Sequence, residues 1–495
     1  MTTQLQKFEF EDKGRVLYAR VPYNFKEVIK AFGFLWDANR KVWWISPTPH
    51  KLQSIESNFE VVIRPLQPYH PSPKRAELRD YQKLGVDFLH RTRFALLGDK
   101  AGLGKTAQVL VYAEEAMFSS VMVVCPASVL YNWEREILKW TSAKEEDVAV
   151  ITSTTIPQNK RYYVISYDRF RRLNKTVPPS ELLVVDESHY LKNAKALRTL
   201  AVVRYVEKHN PKSIVLLSGT PFLNSPIELF PQLNLLYPSE FNNYYQFGIR
   251  YAGGTKGYWG WEFKKATNTE ELKEKMSSFF LGRTKQAVLK ELPEVEQIYL
   301  PIKDNLSKYR EMKQEIKRLV DEGKDDLVIR ANIFTLRKLV GVIKVPQVLE
   351  IVENIGEKTV IFAVHKEVVM QLAEQLKCDF ISGEVPPMKR QALVDKFNQQ
   401  SNGYLIITQA MQEGVNLQSA HHIVMAERLW NPAKEEQVYS RLHRFGQKHN
   451  VSIWIPILKD TLDERIHNML IRKGEHYAKV FDIDRLKWQE LLDFV

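Results

Sequence analysis

The sequence predicts an α/β chain with two parallel-sheet lobes, a helical insertion between them and a small N-terminal α+β module. Three observations support this prediction: the length, the composition, and short apolar runs that alternate with amphipathic stretches. The chain has 495 residues, which at ~100–200 residues per domain indicates about three domains. Its 44% hydrophobic and 26% charged residues are ordinary globular values, and they exclude a largely disordered chain.

Two sets of apolar runs predict the two sheets. Their Val, Ile and Leu content suits strands that are buried on both faces of a parallel sheet. The first set is Phe94–Leu97, Val121–Cys125, Tyr163–Ile165, Leu182–Val185 and Ile214–Leu217, and the second is Thr359–Phe362, Tyr404–Ile407, His422–Met425 and Val451–Ile457.

The domain boundaries follow from the residues around these runs. Four prolines between Arg64 and Arg79 predict a stiff, exposed linker, because proline blocks both helix and central strand. Long helical periods and an aromatic, glycine-rich stretch predict an insertion between the lobes. The predicted organisation is module 1–66, linker 67–76, first lobe 77–237, insertion 238–355, second lobe 356–475 and helical tail 476–495.

Composition also limits the function. No uncharged apolar run reaches the ~18 residues of a membrane span, and residues 1–20 lack the apolar core of a secretory signal. Cys125 and Cys378 lie outside any Cys/His cluster, which disfavours disulfides and structural zinc and predicts a reducing, intracellular compartment. The net charge of +12 is typical of nucleic-acid binders, although a merely basic soluble protein fits it equally.

A glycine-rich loop after the first predicted strand indicates a nucleotide site. Gly102 and Gly104 allow backbone N–H groups to close on phosphate oxygens. Lys105 can reach the β- and γ-phosphates of ATP, and the Thr106 hydroxyl can bind Mg²⁺. Asp99 stands where the first glycine of this pattern is expected, so a glycine-rich turn with a chance lysine is the alternative.

Two adjacent acids end another predicted strand. Asp186 can hold Mg²⁺, and Glu187 can orient or deprotonate the attacking water. The carboxyl end of a buried strand is where α/β sheets bind ligands. The alternative is a solvent-exposed acidic turn, which the upstream loop makes less favourable.

In order, these motifs resemble those of superfamily 2 helicase-like ATPases of the Swi/Snf type. The resemblance covers about 400 residues, from about 75 to 475, and includes the segments 78–82, 123–126, 165–168, 186–189, 217–221, 360–362, 413–417, 430–432 and 437–447. It implies two RecA-like lobes with ATP between them. One departure is Gly282, which stands where the family usually has the first of two arginines.

The resemblance also implies roles for individual residues. It implies nucleotide contacts for Gln82, Gly414 and Gln437, arginine fingers at Arg441 and Arg444, coupling through Ser218 and Thr220, and DNA contacts at Asn132, Trp133, Thr408 and Trp430. Without the other motifs, the two arginines would be interpreted as part of a basic surface helix.

The N-terminal module is predicted to form a strand, a helix and a second strand. Asn24 can cap the helix, with Glu27 three residues later. Adjacent strand residues point to opposite faces, so one of Trp43 and Trp44 can stack on a base beside Arg40 and Lys41. Equally, both tryptophans can be packing residues. The module resembles the HARP module of annealing helicases, and the insertion segment 259–263 is similar to that subgroup.

Together these observations predict a DNA-stimulated, Mg-ATP-dependent motor. The resemblance implies that it tracks duplex DNA and remodels branched DNA by fork reversal, branch migration or strand reannealing. Such activity belongs to replication, recombination and repair. The alternatives are a translocase that displaces proteins from DNA and a non-catalytic DNA-binding scaffold, and a nuclease is disfavoured. A monomer is expected, in the cytoplasm of a bacterium or a phage-infected cell or in a nucleus.

Overall fold

The structure is a computed structural model of the chain. It describes residues 9–12, 16–21, 25–58, 69–173, 175–222, 225–257, 260–263, 265–289, 291–322, 326–409, 416–429, 432–444, 446–468 and 470. These residues form two compact units, one up to Thr284 and the other from Lys285 onward. Among them, no helix has both the length and the apolar composition that crossing a bilayer requires.

The N-terminal module is a small antiparallel sheet covered by two helices on one face. Its elements are β1 (Glu9–Asp12), β2 (Leu17–Arg20), α1 (Lys26–Ala31), β3 (Leu35–Asp37), β4 (Val42–Ile45) and α2 (Pro49–Asn58). The described strands are ordered β1-β2-β4-β3. Alternate residues of β2 and β4 face a core shared with Ile29 and Ile55 of the helices. The period of two in these strands produces this one-sided burial.

The remainder of the first unit is built around a parallel sheet. Its elements are α3 (Asp80–Thr92), β5 (Phe94–Leu97), α4 (Lys105–Glu115), β6 (Val121–Cys125), α5 (Leu130–Trp140), β7 (Val148–Ile151), β8 (Tyr162–Ser166), α6 (Tyr167–Leu173), β9 (Leu182–Asp186), α7 (Leu197–His209), β10 (Ser213–Leu217), α8 (Phe230–Leu236), α9 (Tyr244–Tyr251), β11 (Thr255–Gly257), β12 (Gly260–Glu262), α10 (Thr269–Met276) and β13 (Phe280–Leu281). Among the described strands the order is β13-β5-β10-β9-β6-β8-β7, and β11 pairs with β12 separately.

The second unit contains another parallel sheet. Its elements are α11 (Lys285–Val288), β14 (Val295–Ile302), α12 (Ser307–Asp321), α13 (Asp326–Ile343), α14 (Val345–Ile355), β15 (Thr359–Phe362), α15 (Lys366–Leu376), β16 (Asp379–Ile381), α16 (Pro387–Gln399), β17 (Tyr404–Ile407), β18 (His422–Met425), α17 (Pro432–Tyr439) and β19 (Val451–Leu458). The described strands are ordered β14-β19-β18-β15-β17-β16. The predicted class, two parallel-sheet lobes with helices, is confirmed.

Part of the predicted linker is packed rather than exposed. Residues Pro73–Glu77 form a 3-10 turn that lies against the end of α4. The Ser72 amide and the Arg75 guanidinium both donate to the buried carboxylate of Glu115. Proline restricts the backbone here, as predicted. The sequence pattern does not reveal that the buried Glu115 carboxylate binds this segment. Pro65 and Pro68 lie outside the described residues.

The order of strands in the first sheet brings three motifs to one edge. Strands β5, β10 and β9 are neighbours and parallel, and Leu217 pairs with both Leu97 and Asp186. The loops that follow these strands therefore meet at their carboxyl ends, where α/β sheets bind ligands. This edge carries the glycine-rich loop, the two acids and Ser218.

Candidate functional site

The glycine-rich loop joins β5 to α4 at this edge. Gly102 and Gly104 have φ angles of +89° and +74°, a left-handed region that favours glycine. Lys105 begins α4, and its ammonium donates to the Asp99 carbonyl at 2.6 Å. The lysine thus lies across its own loop, beside the backbone that would surround phosphate oxygens.

Asp99, the residue in place of the expected glycine, anchors this loop. Its carboxylate is fully buried and accepts from Arg283 at 2.9 Å (Nε to Oδ1) and 2.5 Å (Nη2 to Oδ2). Gln108 donates to the same carboxylate at 3.0 Å. Arg283 also donates to the Tyr81 carbonyl, and its guanidinium lies 5.2 Å from the centre of the Tyr81 ring. One arginine therefore links the loop, α3 and the end of β13.

Gln82, the predicted adenine contact, lies against the same loop. Its amide nitrogen donates to the Leu103 carbonyl at 3.2 Å, and its amide oxygen accepts from the Arg79 backbone at 2.9 Å. A Cβ at Gly104 would collide with the Gln82 amide. Glycine at 104 is favoured by its φ angle, and it lets the Gln82 amide lie against the loop.

The Asp186 carboxylate is held in place by hydrogen bonds. Its Oδ2 accepts from the Trp133 indole at 2.8 Å, and its Oδ1 accepts from the Glu187 amide at 2.9 Å. The Tyr167 hydroxyl donates to the Asp186 carbonyl at 2.6 Å. Burial raises the pKa of Tyr167 well above its ordinary value, so this hydroxyl stays a neutral donor.

Trp133 differs from its expected role. It is 1% exposed, which leaves no ring face for DNA in this structure. The physical reason is the Asp186 carboxylate, since a buried indole N–H needs a partner and finds it there. Asn132, its neighbour on α5, is half-buried.

A chain of contacts joins Glu187 to the predicted coupling residues. Glu187 has a left-handed φ of +47°, and its carboxylate lies 3.1 Å from His189 Nδ1. The same nitrogen lies 3.1 Å from the Ser218 hydroxyl, which accepts from the Thr220 amide at 3.2 Å. His189, which had no predicted role, is the intermediary. Its place in the acidic motif was the available sequence signal.

Gln232 of α8 makes a second connection between the two motifs. Its side-chain oxygen accepts from the Ser188 hydroxyl at 2.8 Å, and its nitrogen donates to the Pro221 carbonyl at 2.6 Å. Gln232 is fully buried, and nothing in its sequence surroundings marked it.

The side chains of this edge fit ATP and Mg²⁺. Left-handed glycines and Lys105 suit phosphate oxygens. The Thr106 hydroxyl and the Asp186 carboxylate are the oxygen donors that Mg²⁺ prefers. Both Asp186 oxygens accept hydrogen bonds, and an ionised carboxylate offers about four lone-pair positions for donors and a metal ion.

The second unit carries the other predicted residues. Arg441 and Arg444 are half-buried, and the Arg441 carbonyl accepts from the Leu417 amide at 3.1 Å. Gln437 is buried, and Thr408 donates to the Ile381 carbonyl. Gly414 and Trp430 lie outside the described residues. The roles of these residues stay predictions.

Residues 81–341 match the family described as SNF2-related domain, and residues 343–446 match the helicase conserved C-terminal domain. The chain belongs to the SNF2-related family. This confirms the resemblance found in the motifs.

Two relatives and one solved structure are similar to this chain over most of its length. The SWI/SNF-related matrix-associated actin-dependent regulator of chromatin subfamily A-like protein 1 of Xenopus tropicalis is 30% identical over 423 residues, which cover 80% of this chain and 44% of that protein. The DNA annealing helicase and endonuclease ZRANB3 of Mus musculus is 29% identical, with 82% and 41% covered. The chain thus spans less than half the length of these relatives. A solved SWI2/SNF2 ATPase core of Sulfolobus solfataricus in complex with dsDNA is similar at 25% identity and a TM-score of 0.42, covering 84% of this chain and 95% of that one.

In this SNF2-related chain, neither Trp43 nor Trp44 is exposed, which favours the alternative that both are packing residues, whereas Trp36 is exposed. Trp43 is in the module core at 9% exposure, Trp44 is half-buried, and Trp36 is 51% exposed. The Trp36 and Trp43 rings are 5.3 Å apart. The Arg40 guanidinium lies 5.4 Å from the centre of the Tyr18 ring. Lys41 is exposed, and the predicted cap Asn24 lies outside the described residues.

The module is attached to the rest of the first unit through polar contacts. The Ser46 amide donates to the Ser239 hydroxyl at 2.9 Å, and the Ser239 amide donates to the Ser46 hydroxyl at 3.1 Å. Nearby, Glu240 pairs with both Lys51 and Lys275. Burial acts to raise the pKa of Glu240, but these two ammonium groups outweigh it and lower the pKa. The carboxylate is therefore held ionised between two lysines.

Proposed function

We propose that this chain is a Mg-ATP-dependent, DNA-stimulated motor that tracks duplex DNA and remodels branched DNA. The observation that supports it most is that the glycine-rich loop with Lys105, the acids Asp186 and Glu187, and Ser218 meet at one edge of the first sheet in an SNF2-related chain. At this edge His189 joins Glu187 to Ser218. Such contacts allow the state of the nucleotide edge to bias residues beyond it.

The chemistry divides among named side chains. Lys105 contacts the β- and γ-phosphates, and Gln82 contacts the adenine. Thr106 and Asp186 hold Mg²⁺, which when bound neutralises phosphate charge. Glu187, positioned by His189, orients or deprotonates the attacking water.

The second unit supplies the remaining groups. Arg441 and Arg444 stabilise charge that develops on the γ-phosphate in the transition state, a contribution that arginine fingers typically make. Gln437 and Gly414 contribute to nucleotide binding. Ser218 and Thr220 transmit the state of the acids to the DNA track, through His189.

DNA is the proposed track and substrate. The net charge of +12 suits phosphate binding, and one of the relatives is named a DNA annealing helicase. Asn132, Thr408 and Trp430 are the proposed contacts. For Trp133 we propose a different role: it positions Asp186 through the indole hydrogen bond.

The N-terminal module is the proposed recognition element for branched DNA. Trp36 is its most exposed tryptophan among the described residues, and Arg40 and Lys41 follow it in the turn between β3 and β4. Cations hold phosphates without reading sequence, and an exposed aromatic ring can cap an unstacked base. Trp36 thus becomes the candidate for stacking, in place of one of Trp43 and Trp44.

An ATPase assay tests the proposal directly. Hydrolysis is measured without DNA and with single-stranded, duplex, forked and four-way DNA. We expect stimulation by duplex and a further response to branched DNA. Hydrolysis that no DNA stimulates would contradict a DNA motor, and DNA binding with no hydrolysis would favour the scaffold alternative.

A further inference from the structure

The hairpin β11–β12 carries an exposed aromatic residue beside a cation. All described residues of its strands are exposed, and Trp261 is 40% exposed. Lys256 pairs directly with Trp261 across the hairpin, while Thr255 pairs with Glu262. Because successive strand residues point to opposite faces, the lysine and the indole share one face and Glu262 lies on the other. The charge on the tryptophan face is therefore positive.

A series of aromatic contacts connects this tryptophan to the core of the first unit. Phe230 is buried in that core and meets Tyr244 edge-on at 5.3 Å between ring centres. Tyr244 meets Phe263 edge-on at 5.7 Å, and Phe263 lies parallel to Trp261 at 6.3 Å. Edge-on and offset-parallel arrangements are the favoured ones for aromatic pairs. The exposed indole thus stands at the end of a packed series, not on a free loop.

Two glycines allow the backbone to pack against Phe263 of this aromatic series. A Cβ at Gly248 or at Gly254 would collide with the Phe263 ring. The backbone of α9 and the residue just before β11 therefore lie directly against Phe263. That support fixes the Phe263 ring beside which Trp261 lies. Little conformational entropy is therefore lost when a ligand stacks on the indole.

The surroundings favour a polyanion over an apolar partner. Lys265 is exposed just after β12, and its side chain lies over Gly253. Arg250 is paired with Glu271, so its charge is balanced locally. Tyr245 and Ile249, one turn apart on α9, extend the exposed apolar surface. An aromatic face bordered by lysines matches a nucleobase with its phosphates.

We propose that Trp261 stacks on an unpaired base of branched DNA while Lys256 holds an adjacent phosphate. This inference rests on the proposed function, since it names a second contact for the same substrate, separate from the N-terminal module. Stacking on an indole tolerates any base, because every base has a π-face. The platform would hold a strand at the branch while the bases there are unpaired.

Equilibrium binding of the full-length chain to forked DNA without ATP tests this inference. The probe is 2-aminopurine at the unpaired position next to the branch, whose fluorescence falls when it stacks on an aromatic ring. We expect the wild-type chain to quench it. Trp261→Ala abolishes the quenching and weakens binding to the fork about 5- to 10-fold, at the lower end of what one stacked base contributes. Trp261→Phe restores part of both.

Two further variants separate the face from the fold of the hairpin. Lys256→Ala makes the dependence of log affinity on log salt less steep by about 0.7, the value for one phosphate contact on single-stranded DNA. Thr255→Ala, on the opposite face, changes neither quenching nor salt dependence. Undiminished quenching and fork affinity in Trp261→Ala would overturn the inference. Because the assay uses no hydrolysis, its result is distinguishable from a failure of the ATPase test.

Discussion

The nucleotide edge of the first sheet and the sheet of the N-terminal module use their side chains in opposite ways. At the nucleotide edge, Asp99, Asp186 and His189 are each bonded to other motif residues. In the module, Trp36 extends from an edge strand with half of its surface exposed. Phosphate chemistry requires groups fixed in advance, whereas recognition of a variable DNA surface requires accessible aromatic and basic groups. Disrupting each region should therefore have different consequences.

Lys105→Ala is expected to have the largest effect and to act at the nucleotide edge. Removing the ammonium leaves the β- and γ-phosphates without their cation, so hydrolysis should fall by at least about 10²–10³-fold in kcat. DNA binding should be largely retained, because the lysine lies across the glycine-rich loop. A steady-state ATPase assay, with DNA affinity measured in parallel, checks both parts. Retained DNA-stimulated hydrolysis would contradict the motor proposal.

Arg444→Ala tests the second unit in the same reaction. If Arg444 contacts the γ-phosphate mainly in the transition state, its removal should lower kcat by about 10³-fold. The change in nucleotide affinity should be smaller. The measurement is kcat and the Kd of a non-hydrolysable analogue. A loss of affinity with unchanged kcat would show that Arg444 is not a finger. Lys448→Ala, an exposed cation on the same segment, is the matched control.

Arg283→Ala should affect stability more than any surface change. It leaves the fully buried Asp99 carboxylate without its bidentate partner, which costs about 3–5 kcal/mol of unfolding free energy. The double variant Asp99→Asn/Arg283→Ala should lose less than the sum of the two single variants, because the unpaired charge is then absent. Urea denaturation measures all three, with the exposed Lys256→Ala as a control within about 0.5 kcal/mol. Additive losses would mean that the pair is not coupled.

The sequence predicted the parts of the fold that have strong local patterns. The apolar runs located β5, β6, β9 and β10 within a residue or two, because a strand buried on both faces has a continuous apolar sequence. In the two parallel sheets the pattern missed β7, β13, β14 and β16. β14 has mixed polarity over Val295–Ile302 and is only partly buried, so its sequence carried no such signal. Its position depends on pairing with β19, which lies about 150 residues further along the chain.

The site was predictable where its residues are consecutive and less so where they meet through folding. The glycine-rich loop and the two acids are local motifs, and the sheet brings them to one edge. Arg283 and Gln232 approach from distant segments. The resemblance marked the element that contains Arg283 but not its pairing with Asp99, and nothing marked Gln232. The tryptophans show a further limit. The alternation of side chains along a strand predicts that Trp43 and Trp44 face opposite sides of the sheet, but it does not predict which side the helices cover.

The smallest expected effect compares two tryptophans of the N-terminal module, Trp36 and Trp43. Trp43→Ala removes a core side chain and should destabilise the module by about 3–5 kcal/mol. Trp36→Ala removes one exposed ring and its contact with Trp43, which contributes about 0.5–1.5 kcal/mol. Its main effect should instead be a loss of affinity for four-way DNA of about 5-fold, the lower range for one stacked base.

The two variants separate recognition from folding because they act on the same sheet. Thermal unfolding of the full-length chain should show the larger fall in Tm for Trp43→Ala. A four-way DNA titration should show that Trp36→Ala loses more affinity than its small loss of stability accounts for. Duplex affinity serves as the reference, since an aromatic ring that caps an unstacked base has no such base to cap in an intact duplex. Trp36→Phe should recover part of the affinity if the ring stacks. Equal affinity of Trp36→Ala and the wild-type chain for four-way DNA would remove Trp36 as the recognition residue and leave the module with a packing role.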